Sequence, residues 1–189
     1  MVILASASPR RSELLKQIGC IFEVKPSSAE EANCQQLKPY ELVTLNASLK
    51  AKDVASLENN IDVIVIGADT VVALDDKIYG KPKDKSEAIE FLKNLSGRDH
   101  KVLTGIAIVT PDDCIVDYVE TIVSFRELTE NEIIDYVNSG EPMDKAGAYA
   151  IQGRGAVFIK CIQGCYSNVV GLPLSKLCEI CNEAGIKLL

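Results

Sequence analysis

The chain opens on a short apolar run, Val2-Ile3-Leu4-Ala5, turns polar at Ser6, and resumes with Leu14, Leu15 and Ile18 spaced along one helix face. Ser8 is a candidate N-cap, Pro9 suits a first helical position and Gly19 a stop, so a strand followed by a helix is predicted. Residues 21–25 form a second strand candidate, with a polar stretch behind them reaching Lys38. From Pro39 to about Leu57 the pattern is helical, with Leu42, Leu45 and Leu49 on the apolar face. Ile61 to Ile66 is a near-continuous β-branched run, as expected of a strand covered on both faces.

Farther along, Asp84 and Glu87 spell a capping box ahead of Ala88, Phe91, Leu92 and Leu95, which keep the helical period. Residues 101–109 and 115–125 read as strands joined through Pro111-Asp112-Asp113. Thr129 and Glu132 form another capping box, opening a helix to about Asn138. Ala156 to Ile162 reads as a strand, and Pro173 opens the last helix. Helices that alternate with strands and then give way to long paired strands indicate an α/β protein with a mixed sheet. With no repeat, low-complexity tract or linker, a single domain over residues 1–189 is expected.

Composition narrows this picture. Hydrophobic residues make up 47% of the chain, enough to bury a core. A net charge of −7 and only 5% aromatics argue against a nucleic-acid-binding protein, but a local basic pocket can still serve a small anion. No stretch reaches the ~20 apolar residues of a membrane span, and the N-terminal charges follow a short apolar run instead of preceding a long one. A cytoplasmic protein is therefore expected. The seven cysteines are Cys20, Cys34, Cys114, Cys161, Cys165, Cys178 and Cys181. Cys178 and Cys181 form a C-x-x-C, yet with Leu174, Leu177 and Ala184 they also fit a buried helix face, and a single histidine leaves a zinc site short of ligands.

Three segments carry candidate chemistry. Ser6-Ala7-Ser8-Pro9-Arg10-Arg11 lies at a strand-to-helix turn, where free N–H groups, hydroxyls and guanidiniums suit phosphate oxygens. The same residues equally suit a capped helix with two solvated arginines. Asp69, in Gly67-Ala68-Asp69-Thr70, follows the buried strand and could be a metal ligand, a general base or a polar strand end. Residues 139–153 crowd Gly, Pro, carboxylates, Lys145 and Gln152 into an irregular stretch longer than a plain connection needs. Lys50 and Lys81 are cationic candidates or ordinary surface lysines. His100 has no nucleophile elbow beside it, so a structural or edge-of-site role is expected.

Taken together, the motifs resemble the Maf family of nucleoside triphosphate pyrophosphatases. The matching segments are Ala5-Ser6-Ala7-Ser8-Pro9-Arg10-Arg11-Ser12-Glu13-Leu14-Leu15, Gly67-Ala68-Asp69-Thr70-Val71-Val72, Gly80-Lys81-Pro82, Leu95-Ser96-Gly97-Arg98-Asp99-His100, Asp144 through Gly153, and Val170-Gly171-Leu172-Pro173-Leu174. They occur in family order over nearly the whole chain. The resemblance implies an elongated, twisted mixed α/β sheet flanked by helices, similar to inosine triphosphate pyrophosphatases, with a cleft between two lobes. It also implies cleavage of a nucleoside triphosphate to the monophosphate and pyrophosphate with Mg²⁺ or Mn²⁺, and it is compatible with a homodimer. By the same resemblance, Asp69 matches the proton acceptor, and Arg10, Thr70 and Gln152 match positions tied to substrate choice. Ser6, Ser8, Arg11, Lys50, Lys81, Asp144 and Lys145 match substrate-binding positions, with Asp69 and Glu30 near the metal. Thr70 and Gln152 together resemble the branch acting on dTTP and UTP, and a Gln amide both donates and accepts, as the imide edge of thymine or uracil requires. A nucleotide-binding regulator of cell division with little turnover is the alternative.

Overall fold

The computed structural model describes residues 1–32, 37–59, 62–75 and 77–188. Cys34 and Ile61 lie outside the described residues. In chain order the elements are β1 (Val2–Leu4), α1 (Pro9–Gln17), β2 (Phe22–Val24), α2 (Pro39–Ser56), β3 (Ile64–Leu74), β4 (Lys77–Tyr79) and α3 (Lys85–Leu95). There follow β5 (Asp99–Val109), β6 (Cys114–Phe125), α4 (Glu130–Asn138), three short 3₁₀ turns, β7 (Ile159–Gln163), α5 (Tyr166–Val170) and α6 (Leu174–Glu183). The strands form one seven-stranded sheet in the order β2-β1-β3-β5-β6-β7, with β4 added to β3. β1 runs parallel to both β2 and β3, whereas β4 on β3 and β7 on β6 are antiparallel. The fold is thus a mixed α/β sheet with helices. No helix among the described residues is long and apolar enough to cross a membrane.

Two compact units emerge from this chain. The first comprises Met1–Asp69, Thr104–Val119 and Gly171–Leu189, the second Thr70–Leu103 and Glu120–Val170. In the first, Ile3, Ala5, Val63, Val65 and Ala107 pack with Ala47, Ala51 and Val54 of α2. Small side chains here allow the helix backbone close to the sheet. A Cβ on Gly67 would stand 2.2 Å from the Ala47 carbonyl oxygen, and one on Gly105 2.3 Å from that of Val43. Only glycine fits at either strand position, so α2 settles directly over the part of β3 that precedes Asp69. In the second unit, Phe91, Leu92 and Leu95 of α3 join Ile133, Tyr136 and Val137 of α4 in a core that includes Phe125, Tyr149 and Phe158. Aromatic rings meet edge to face there, Phe125 and Tyr149 at 4.7 Å and Tyr136 and Phe158 at 4.9 Å.

Several expectations need correction. Leu42 is buried as expected, but Leu45 is 41% exposed, and α2 also buries Val43, Asn46, Ala47, Ala51 and Val54, because the close approach selects its small residues. The buried strand does not end at Ile66; β3 continues to Leu74, since Val71, Val72, Ala73 and Leu74 are themselves buried and Val72–Leu74 pairs with β4. Asp69 therefore sits in mid-strand and not at its carboxyl end. The expected strand from Ala156 starts only at Ile159, behind a 3₁₀ turn at Arg154–Phe158. Asp84 accepts from the Glu87 N–H as expected, but the Glu87 carboxylate turns back one residue further, to the Lys83 N–H. The Thr129–Glu132 box is formed in both directions. On α6, Leu177, Ile180 and Cys181 are buried while Ala184 lies exposed beyond the helix end.

Candidate active site

In the first unit the polar centre is built on Asp69, 7% exposed in the middle of β3. Two residues of α2 reach it. Lys50 Nζ donates to Asp69 Oδ1 at 2.7 Å, and Asn46 Nδ2 donates to Oδ2 at 3.2 Å. Asn46 and Lys50 are four residues apart, hence stacked on one helix face, and the close seating of α2 brings even the short Asn side chain within reach. A carboxylate in a strand interior is thereby paired and hydrogen-bonded, which burial requires.

Asn46 does a second job. Its Oδ1 accepts from the Ala32 N–H at 2.8 Å and its Nδ2 donates to the Ala32 carbonyl at 3.3 Å. Upstream, Asp53 Oδ2 accepts from the Ser27 hydroxyl at 2.7 Å and from the N–H groups of Ser28 and Ala29 at 2.8 and 3.2 Å. These bonds hold the Asp53 carboxyl below its usual range, the Ser27 hydroxyl most of all. The segment 27–32 is thus tied to α2 at both ends, and Glu31 is delivered to Lys50, its Oε1 2.6 Å from Nζ. Glu30 and Glu31 are both exposed, and Glu31 is the acidic residue that reaches Lys50. Lys50 lies between two carboxylates, with side-chain exposures of 13% for Lys50, 10% for Asp69 and 52% for Glu31.

The turn after β1 supplies the cations. Arg11 Nε donates to the Gly171 carbonyl at 2.7 Å, and Nη1 donates to the Ala68 carbonyl at 2.9 Å and the Ser6 hydroxyl at 3.1 Å. Burial lowers the Arg11 pKa, opposed by the charges of Asp69 and Glu31; a guanidinium stays a cation nonetheless. Three of its donors serve the fold, so Arg11 offers a fixed positive charge more than an open fork. Ser6 is buried and its Oγ also accepts from the Ser8 N–H at 3.2 Å. Ser8 occupies the N-cap of α1 without a side-chain capping bond. Arg10 follows in the first turn, half-buried.

The remaining sequence candidates belong to the second unit. Thr70 is half-buried on β3, and Lys81 is exposed after Gly80, whose carbonyl accepts from the Gly147 N–H at 3.0 Å. Lys145 Nζ donates to the Glu141 carbonyl at 3.2 Å and to the Asp144 carboxylate. Gln152, half-buried, stands in a loop fastened by Glu141. His100 is 2% exposed, with Nε2 2.8 Å from the Tyr149 hydroxyl and Phe125 edge-on at 4.8 Å. Burial lowers its pKa to about 4, so the ring is neutral near pH 7 and structural.

Sequence reasoning passed over Asn46 and Tyr136, and it reached Glu31 and Glu141 only as members of an acidic and a polar stretch. The i, i+4 pairing of Asn46 with Lys50 on α2 was an available signal. For Glu141 the signal was its place in the long polar segment. The described residues contain no cluster of three His, Cys, Asp or Glu able to hold a metal by themselves.

Comparison with known proteins adds to the geometry. A family model described as Maf-like protein matches residues 1–184. The dTTP/UTP pyrophosphatase of Acetivibrio thermocellus is 50% identical to this chain, covering 100% of it and 97% of its own length. The protein of that name from Pelotomaculum thermopropionicum is 46% identical, covering 100% and 98%, and one from Bacillus anthracis is 51% identical, covering 93% and 91%. Among solved structures, a nucleoside-triphosphatase / dITP/XTP pyrophosphatase from Mycobacterium abscessus aligns over 97% of this chain and 95% of its own, at 12% identity and a TM-score of 0.44.

Proposed function

The chain belongs to the Maf-like family, and from that premise we propose that it is a hydrolase cleaving dTTP and UTP between the α- and β-phosphates to the nucleoside monophosphate and pyrophosphate. The observation that carries the chemistry is the buried Asp69 carboxylate, oriented by Asn46 and Lys50 beside the fixed charge of Arg11. Asp69 accepts the proton of the attacking water, the role its matched motif implies. Lys50 and Arg11 supply positive charge in a site already shielded from solvent, where it stabilises the negative charge that develops on the departing pyrophosphate. Ser6, Ser8 and Arg10, at the start of α1, are assigned to phosphate and substrate contact. Thr70 and Gln152 are assigned to the choice of base, and Lys81, Asp144 and Lys145 to substrate binding, on the motif match. We assign the activity to the cytoplasm, where nucleoside triphosphate pools reside.

The residues also fit a divalent cation. Asp69 and Glu31 are hard oxygen donors directed at one cationic position, now served by Lys50, and Mg²⁺ or Mn²⁺ is commonly held by one or two carboxylates together with substrate phosphates. When bound, such an ion would screen the triphosphate charge. Glu30, assigned near the ion on the motif match, is joined in this reading by Glu31, whose pairing with Lys50 supports its inclusion.

Pyrophosphate release tests this reading. The purified protein is assayed with UTP and dTTP in Mg²⁺ or Mn²⁺, and again after chelation. Asp69→Asn keeps the side-chain shape and is expected to lower kcat by ~10²–10⁴-fold, the usual worth of a positioned base. Undiminished turnover by that variant, or nucleoside diphosphate as product, would reject the proposal.

A further inference from the structure

Gln152 has no regular element to hold it, yet its loop is anchored on both sides by one pair of side chains. On the far side, the Glu141 carboxylate accepts from the N–H groups of Arg154, at 3.1 Å to Oε2, and Gly155, at 3.2 Å to Oε1. On the near side, the Ala150 N–H donates to the Tyr136 hydroxyl at 3.3 Å, and that hydroxyl donates to Glu141 Oε1 at 3.0 Å. Between them, Gly153 has φ +93 and its Cβ position would fall 2.9 Å from both carboxylate oxygens, so the backbone lies against the acid where only glycine fits. The brace is itself rigid. Tyr136 is 5% exposed and packs against Phe158 in the core, and the Glu141 carbonyl accepts from Lys145. Burial acts to raise the Glu141 carboxyl, but the two backbone N–H groups and the Tyr136 hydroxyl outweigh it and hold the pKa below the usual value.

We propose that Glu141, braced by Tyr136, is a positioning residue for base selection: it fixes the backbone of residues 150–155 and so the place from which Gln152 presents its amide. The proposal rests on the reading that Gln152 selects the base. An amide pairs with the uracil imide edge only where its backbone holds it within hydrogen-bond reach of the base. A carboxylate suits the brace because both oxygens accept. Glutamine at 141 would turn an NH₂ group toward one of the N–H donors, leaving two donors face to face.

The test compares Glu141→Gln, Tyr136→Phe and Gln152→Ala with the unaltered protein in Mg²⁺. The readouts are kcat and KM for UTP and CTP, and amide hydrogen exchange over residues 150–155 without nucleotide. Glu141→Gln is expected to raise KM for UTP about tenfold with kcat changed less than about threefold, and to lower the UTP-over-CTP ratio of kcat/KM about tenfold, as expected when a contact group is misplaced and not removed. Exchange over 150–155 should accelerate by a similar factor. Tyr136→Phe keeps the ring packing and should move every readout in the same direction by about threefold; it decides the matter if Glu141→Gln does not fold. An unchanged ratio in Gln152→Ala overturns the reading of Gln152 and this proposal with it. A lowered ratio in Gln152→Ala, with unchanged ratio and exchange in Glu141→Gln or in Tyr136→Phe, overturns the brace alone.

Discussion

Lys50→Met removes a cation that touches both Asp69 and Glu31 while keeping most of the stem's length and volume. In the folded protein the Lys50–Asp69 contact is 2.7 Å long, between side chains 13% and 10% exposed, so the pair is shielded from water. Breaking a buried pair by deleting one partner costs about 3–5 kcal/mol. Two features of the site argue for the lower end. Glu31 is half exposed and can rehydrate, and Asp69 keeps the Asn46 amide. A loss of about 3 kcal/mol is therefore expected, which for a chain of this size lowers Tm by about 6–12 °C. Asp69→Asn strips Lys50 of its buried partner but leaves Glu31, for a loss of about 2 kcal/mol. The double variant has neither buried charge, so it should lose about 3 kcal/mol and not the sum, a coupling of about 2 kcal/mol. Urea unfolding of the four proteins, followed by circular dichroism, measures this cycle. Additivity to within about 0.5 kcal/mol would show that Lys50 and Asp69 do not depend on each other, and the reasoning about the site would fail.

Two further outcomes follow from the fold. His100, pushed from 6.5 to about 4 by burial, stays neutral when folded while the unfolded chain takes up a proton. Stability should thus be full above pH 6.5 and fall by about 3 kcal/mol as pH drops toward 4; because it is the only histidine, its ring resonances report directly, and a ring protonated at pH 5.5 would contradict the assignment. Gly67→Ala places a methyl 2.2 Å from the Ala47 carbonyl oxygen, so α2 must lift from β3. A loss of at least about 2 kcal/mol in stability is expected, together with a fall in UTP turnover as Asn46 and Lys50 withdraw from Asp69; wild-type melting and turnover would refute the close-seating argument.

Much of this architecture was legible as pattern. The periodic runs placed α1, α3 and α4, and the Thr129–Glu132 box marked a helix start that the structure forms in both directions. What pattern could not convey was how near two elements come. Leu45 had the right spacing for the core of α2, yet it faces solvent because Gly67 and Gly105 favour a helix face made of small residues. That same approach converts Asn46 from an unremarked helix residue into a partner of Asp69. Asp69 was recognised by its place after a buried run, although the run continues past it, because its charge is met from α2 and not by water at a strand end. Glu30 and Glu31 are alike in composition, and the pairing of Glu31 with Lys50 is visible only in the fold, where Asn46 holds Ala32. Likewise Glu141 is one of two carboxylates in a polar segment until Arg154 and Gly155, more than ten residues onward, point their N–H groups at it.

Hydrolysis of UTP in ¹⁸O-labelled water, with the products separated and weighed by mass spectrometry, addresses the proposed activity most directly. Attack at the α-phosphate by water that gives its proton to Asp69 predicts label in the nucleoside monophosphate and none in the pyrophosphate. Label in pyrophosphate, or formation of UDP and labelled orthophosphate, would contradict it.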